Sequence, residues 1–109
     1  MSNRAIPRRP APRQCVSIDE VRREIDQIDQ AIVRALGERF EYAKRGAELK
    51  KIHPPVAVPG EDRLTAMIER RRAWATEAGL SPDAIEAMFR QLVAYFLAEE
   101  ARHVADDER

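Results

Sequence analysis

Hydrophobic residues recur at steps of three and four from Ile18 to about Lys51, with no proline between them. This spacing predicts one amphipathic helix of about 33 residues, roughly 50 Å long. Ser17 and Glu20 have the spacing of a capping box, which places the start of the helix at Ser17. The apolar stripe of this helix consists of Ile18, Val21, Ile25, Ile28, Ile32, Leu36, Phe40, Ala43 and Ala47.

Two shorter helices are predicted after a proline-containing loop at 52–60. The second helix begins near Pro59 and ends at Gly79, a residue that commonly stops helices. The third begins at Ser81, with Pro82 as its first helical residue. We therefore expect an all-α chain with one long helix and two shorter ones. The long helix extends well beyond either partner, so its apolar stripe indicates self-association as a dimer of antiparallel or crossing helices.

The 109 residues are enough for one domain. We expect a disordered, basic and proline-rich tail at 1–16, a helical domain at 17–105 and an acidic end that frays at 106–109. Lysine plus arginine and aspartate plus glutamate number 19 each, which argues against a nucleic-acid-binding domain.

The remaining composition excludes further classes of protein. No apolar run approaches the roughly 18 residues of a membrane span, and no stretch near the N-terminus is typical of a secretory signal. These observations favour a cytoplasmic protein. The single cysteine excludes an intramolecular disulfide, and no His/Asp/Glu cluster has metal-ligand spacing, so no metal site is predicted.

Three cations lie on or beside the apolar stripe of the long helix. At about 100° per residue, with the first helical residue at zero, the stripe covers roughly 280° to 40°. Arg22 falls at about 40°, Arg39 at about 300° and Lys50 at about 320°. Their long stems could lie along the core while their charged ends reach water, and Asp29 could pair with one of them. Alternatively, a dianionic ligand supplies the counter-charge that buried cations need.

The helical rise limits how these cations can share a ligand. Arg39 and Lys50 are roughly 16 Å apart along the axis, so their side chains can reach one small dianion. Arg22 is roughly 25 Å from Arg39 and can join that site only from an antiparallel partner chain. In the third helix, Glu99 and Glu100 both fall on the apolar side, and the angular position does not choose between them. Cations and one acid without a nucleophile suit electrostatic stabilisation of a rearranging polyanion. Arg71 of the second helix also falls on an apolar arc, so such placement does not by itself define a site.

The segment Val21–Asp29, followed by Arg39 and Lys50, resembles the first helix of the all-helical chorismate mutase family. The shared pattern is L/I-R-x-x-I-D-x-I/L-D, with an arginine seventeen residues after the first arginine and a lysine eleven residues later. The resemblance extends over residues 17–105. It implies an intertwined homodimer of three-helix chains with two shared sites and no cofactor.

The resemblance also implies a role for each matching residue. Arg22 from the partner chain and Arg39 would bind the two carboxylates of the substrate. Lys50 would donate a hydrogen bond to the ether oxygen and stabilise its charge as the C–O bond breaks. Arg63 matches a substrate-binding arginine at the start of the second helix. Glu100 occupies a position that is usually glutamine and contacts the ether oxygen.

Departures from the mutase pattern point towards one branch of the family. Gly60 and Leu64 replace acids that contact the 4-hydroxyl group of chorismate, and Phe96 replaces a small polar residue. The segments 58–63 and 72–80 are similar to the isochorismate-pyruvate lyase branch. The resemblance therefore implies conversion of chorismate to prephenate, of isochorismate to salicylate plus pyruvate, or both. The alternatives are a mutase acting on an amino-substituted chorismate and a non-catalytic helical dimerisation module.

Overall fold

The computed structural model describes residues 9–53 and 60–107 of the chain. Within this part no strand is present, and a short 3-10 turn at Pro12–Gln14 precedes three α-helices. The all-α prediction of one long and two shorter helices is confirmed. The helices are α1, Ile18–Ile52, α2, Gly60–Glu77, and α3, Pro82–Asp107.

The start of α1 follows the predicted cap. The backbone N–H of Glu20 donates to the hydroxyl oxygen of Ser17 at 3.1 Å, so Ser17 is the N-cap residue. The Glu20 carboxylate accepts the N–H of Val16, one residue before the cap, rather than that of Ser17 itself. From this start α1 runs for 35 residues, close to the predicted length.

The turn between α2 and α3 requires glycine. Gly79 has a φ of 78°, a left-handed conformation that residues with a Cβ rarely adopt. The N–H of Leu80 then donates to the carbonyl oxygen of Ala75 at 2.8 Å, as in a Schellman motif. Ser81 caps α3 by accepting the N–H of Ala84 at 3.1 Å. Both predicted helix boundaries at this turn are confirmed.

The chain forms two compact units, Met1–Arg39 and Phe40–Arg109. In the second unit, α2 packs against α3, and among the described residues the buried side chains are Ile68, Ala75 and Phe96. Phe40 contacts Phe96 edge-on, with ring centroids 5.2 Å apart. This aromatic pair joins the C-terminal part of α1 to α3.

In contrast, α1 contains no buried residue. In the first unit its stripe is open to solvent, with exposed fractions of 64% for Ile18, 49% for Ile25 and 51% for Ile32. A long helix whose apolar face is not covered by the described residues of its own chain is typical of an interface.

Three predictions concern the ends of the chain and the loop between α1 and α2. The tail predicted at 1–16 lies partly outside the described residues, and within it the structure places the turn at Pro12–Gln14. The loop prolines at 54–59 also lie outside the described residues. The last helix continues to Asp107, beyond the predicted boundary at 105.

Candidate active site

The two predicted site arginines of the first unit lie on α1 with different exposure. Arg22 is exposed and forms no ion pair with any residue that the structure describes, Asp29 included. Arg39 is half-buried, seventeen residues further along the same helix. The exposed guanidinium of Arg22 is therefore available to a ligand or to a second chain.

The three predicted site residues of the second unit lie on three different helices. Lys50 is exposed in the last turn of α1, Arg63 is exposed near the start of α2, and Glu100 is half-buried on α3. Among the described residues, no hydrogen bond or ion pair joins these three side chains to each other. The lone chain thus presents two cations and an acid without bringing them into direct contact.

The structure distinguishes the two glutamates that the helical wheel left equivalent. Arg102 donates from Nη2 to the Glu99 carboxylate at 2.9 Å, so Glu99 already has a cationic partner on its own helix. No such pair involves Glu100 within the described part of α3. Of the two acids, Glu100 is the better candidate for contact with a ligand.

Arg71 shows how a cation on an apolar arc can be satisfied within the protein. Its Nη1 donates to the carbonyl oxygen of Met67 at 3.2 Å. Its guanidinium carbon lies 4.9 Å from the ring centroid of Trp74 and 5.3 Å from that of Phe89, within cation–π range. A small cavity of about 180 Å³ adjoins it, lined otherwise by apolar residues. Arg71 offers a single cation that is already packed between aromatic rings, so this position does not suit the binding of a dicarboxylate.

An ion-pair network that the sequence analysis did not predict clamps α2 to α3. Arg72 donates from Nη1 to Asp83 at 2.9 Å and to Glu86 at 2.8 Å, and Arg90 donates from Nε to Glu86 at 2.8 Å. The pKa of Arg72 is raised by its hydrogen bonds to Asp83 and Glu86. The pKa of Glu86 is lowered, mainly by the hydrogen bond from Arg90 and also by the one from Arg72. Spacing could have predicted this contact, because positions 72 and 86 are equally far from the turn at Gly79.

Among the described residues, no group of three or more His, Cys, Asp or Glu side chains could hold a metal ion. In the same part of the chain, no helix has the length and apolar character to cross a membrane.

The sequence of this three-helix chain matches a family of known enzymes. The sequence profile of the chorismate mutase type II family matches residues 21–101, and the chain belongs to this family. The match confirms the resemblance seen in the sequence and, with it, the predicted enzyme class.

Among curated proteins, the chain is 35% identical over 92 residues to isochorismate pyruvate lyase from Pseudomonas aeruginosa. That alignment covers 84% of this chain and 89% of the relative. The T-protein of Haemophilus influenzae is 31% identical over 77% of this chain, and the bifunctional chorismate mutase/prephenate dehydratase of Aquifex aeolicus is 33% identical over 78%. The chain covers only 22% and 24% of the length of these two larger relatives.

Proposed function

We propose that this protein is a cofactor-free pericyclic enzyme whose main reaction converts isochorismate to salicylate and pyruvate. Conversion of chorismate to prephenate is its second activity. The observation that carries this choice is the alignment to isochorismate pyruvate lyase, which covers 89% of that relative. Gly60 and Leu64 support it, because they stand where mutases have acids for the 4-hydroxyl group of chorismate.

Neither reaction needs an oxidant, a reductant or a nucleophile. In the lyase reaction the ether C–O bond breaks while a ring hydrogen moves to the methylene carbon of the enolpyruvyl arm, which gives an aromatic ring and pyruvate. In the mutase reaction the same bond breaks while a C–C bond forms. Both require the arm to be folded over the ring and the ether oxygen to be stabilised as it gains charge.

The candidate residues match these requirements. The partner's Arg22, together with Arg39 and Arg63, binds the substrate carboxylates and fixes the folded arm. Lys50 and Glu100 contact the ether oxygen, and the ammonium of Lys50 donates a hydrogen bond to it. Positioning and electrostatic stabilisation by cations are the main contributions that a protein can make to such a reaction.

A homodimer belongs to the same proposal. The exposed stripe of α1 supports it, because a second copy of the chain is the simplest partner for an unburied amphipathic helix. An antiparallel arrangement also brings Arg22 to the Arg39 end of the other chain. The cytoplasmic location and a role in salicylate biosynthesis remain predictions within this proposal.

The test is to supply purified isochorismate and purified chorismate separately and to identify the products by chromatography. We expect salicylate plus pyruvate from the first substrate and prephenate, more slowly, from the second. An Arg39→Ala variant controls for the uncatalysed reactions. If the wild type yields no more product than this variant from either substrate, the proposal is wrong.

A second experiment tests the shared site. Assayed well below saturation with substrate, homodimers of an Arg22→Ala chain and homodimers of a Lys50→Ala chain are each expected to be nearly inactive. In a mixed dimer, one of the two sites receives both wild-type residues, so activity should return after subunit exchange. Failure to recover activity in confirmed heterodimers would rule out a site that spans two chains.

A further inference from the structure

The residues directly before α1 fold back onto its first turns and lie against the face opposite the apolar stripe. We call residues 9–16 the N-terminal arm. It lines a small cavity together with Glu20, Arg23 and Glu24 of α1, which lie at about 140–240° around the helix when Ile18 is at zero. Arg22, at about 40°, lies on the opposite side with the apolar stripe. The arm therefore contacts the side of the helix opposite Arg22 and leaves the face that carries Arg22 uncovered.

The arm is stiffened by its own hydrogen bonds. The N–H of Gln14 donates to the carbonyl oxygen of Ala11 at 2.8 Å, and the N–H of Ala11 donates to the Gln14 side chain at 2.7 Å. The N–H of Cys15 donates to the carbonyl oxygen of Pro12 at 3.1 Å. Pro10 and Pro12 further restrict the backbone. A segment held in this way loses little additional entropy when it lies against the helix.

Two contacts attach the arm to α1, one before Arg22 and one after it. Val16 donates its N–H to the Glu20 carboxylate at 2.5 Å. Arg9 lies with Nε 3.6 Å from the Glu24 carboxylate, and the two side chains are 35% and 20% exposed. Arg22 is therefore bracketed by contacts two residues away on either side.

We call these two contacts the clamp. They matter because of the position of Arg22 in the helix. Arg22 lies in the second turn of a helix whose first N–H groups have no intrahelical partners, and helix ends open at little cost in free energy. A side chain that must reach a site in another chain loses affinity for the ligand in proportion to the time its own turn is open.

We propose that the N-terminal arm positions Arg22 for the shared active site, with Arg9 and Glu24 as positioning residues. This inference depends on the proposed function, in which Arg22 binds a substrate carboxylate. That contact exists in both the bound substrate and the transition state. Loosening it therefore raises KM and leaves kcat nearly unchanged.

The test compares Arg9→Gln with Arg13→Gln. Arg13 lies on the same arm, is exposed, and forms no ion pair with the residues that the structure describes, so its variant removes the same charge without the clamp. Because partly exposed ion pairs are weak, we expect Arg9→Gln to raise KM about two- to fivefold at constant kcat. Arg13→Gln should match the wild type. The charge-swapped pair Arg9→Glu with Glu24→Lys should restore KM towards the wild-type value.

Hydrogen exchange gives a second, independent measurement. Amides at 21–25 should lose protection in Arg9→Gln but not in Arg13→Gln. Unchanged protection overturns the clamp, and reduced protection with unchanged KM overturns its role in positioning Arg22. If the wild type turns over neither substrate, the proposed function fails, and the role in positioning a substrate-binding arginine fails with it. The clamp itself is then judged by exchange alone.

Discussion

The exposed stripe of α1 gives a quantitative prediction for the dimer. Ile32 is 51% exposed in the single chain and lies on the stripe. Complete burial of an isoleucine side chain contributes about 1.5–3 kcal/mol, so covering the exposed half contributes about 0.8–1.5 kcal/mol. A symmetric dimer contains two copies, which brings the contribution to about 1.5–3 kcal/mol. Since about 1.4 kcal/mol is a factor of ten, Ile32→Ala should raise the dimer Kd about 10- to 100-fold.

Sedimentation over a concentration series measures this Kd directly. Tyr42→Ala is the matched control, because Tyr42 is 74% exposed on the same helix but lies at about 240°, outside the stripe. It removes exposed apolar surface without touching the expected interface and should leave Kd unchanged. Specific activity at low protein concentration should fall in Ile32→Ala and recover as the concentration rises. An unchanged Kd for Ile32→Ala would refute burial of the stripe between two chains.

Two further predictions concern single charged groups. Lys50→Ala should lower kcat about a hundred- to a thousandfold with a smaller change in KM, because the ammonium acts mainly when the ether oxygen gains charge. Steady-state kinetics with isochorismate measures kcat and KM separately. Glu86→Gln should lower Tm at neutral pH relative to Glu77→Gln. Because the pKa of Glu86 is lowered in the folded state, its ionised form stabilises the protein at pH values above its pKa in the unfolded chain, about 4.3. This stabilisation is lost as pH falls through the pKa of the folded state, so the difference in Tm between the two variants should shrink on acidification.

Local chemistry explains why the helices could be predicted from the sequence. The Ser17 cap, the positive φ of Gly79 and the Ser81 cap depend on residues within a few positions of each other. Each satisfies backbone groups that would otherwise have no partner, so the same residue types mark the same boundaries in any context.

Contacts between elements were harder to predict. Hydrophobic pattern alone gave Arg71 the same status as Arg22, yet Arg71 packs between Trp74 and Phe89 while Arg22 is exposed. The difference arises from aromatic residues on a neighbouring turn and on a second helix, which a single helical wheel does not include. The complete site is harder still, because one of its arginines is expected from another chain.

Glu100 offers the sharpest test of the site, because its carboxyl group can be replaced by an amide of nearly the same shape. An amide N–H donates a hydrogen bond to the ether oxygen, whereas a carboxylate repels an oxygen that is gaining negative charge. If Glu100 contacts that oxygen, Glu100→Gln should raise kcat at neutral pH, and steady-state kinetics with isochorismate measures the change. Glu99→Gln is the matched control and should leave kcat unchanged, since Glu99 pairs with Arg102. An equal kcat for wild type and Glu100→Gln would place Glu100 outside the site.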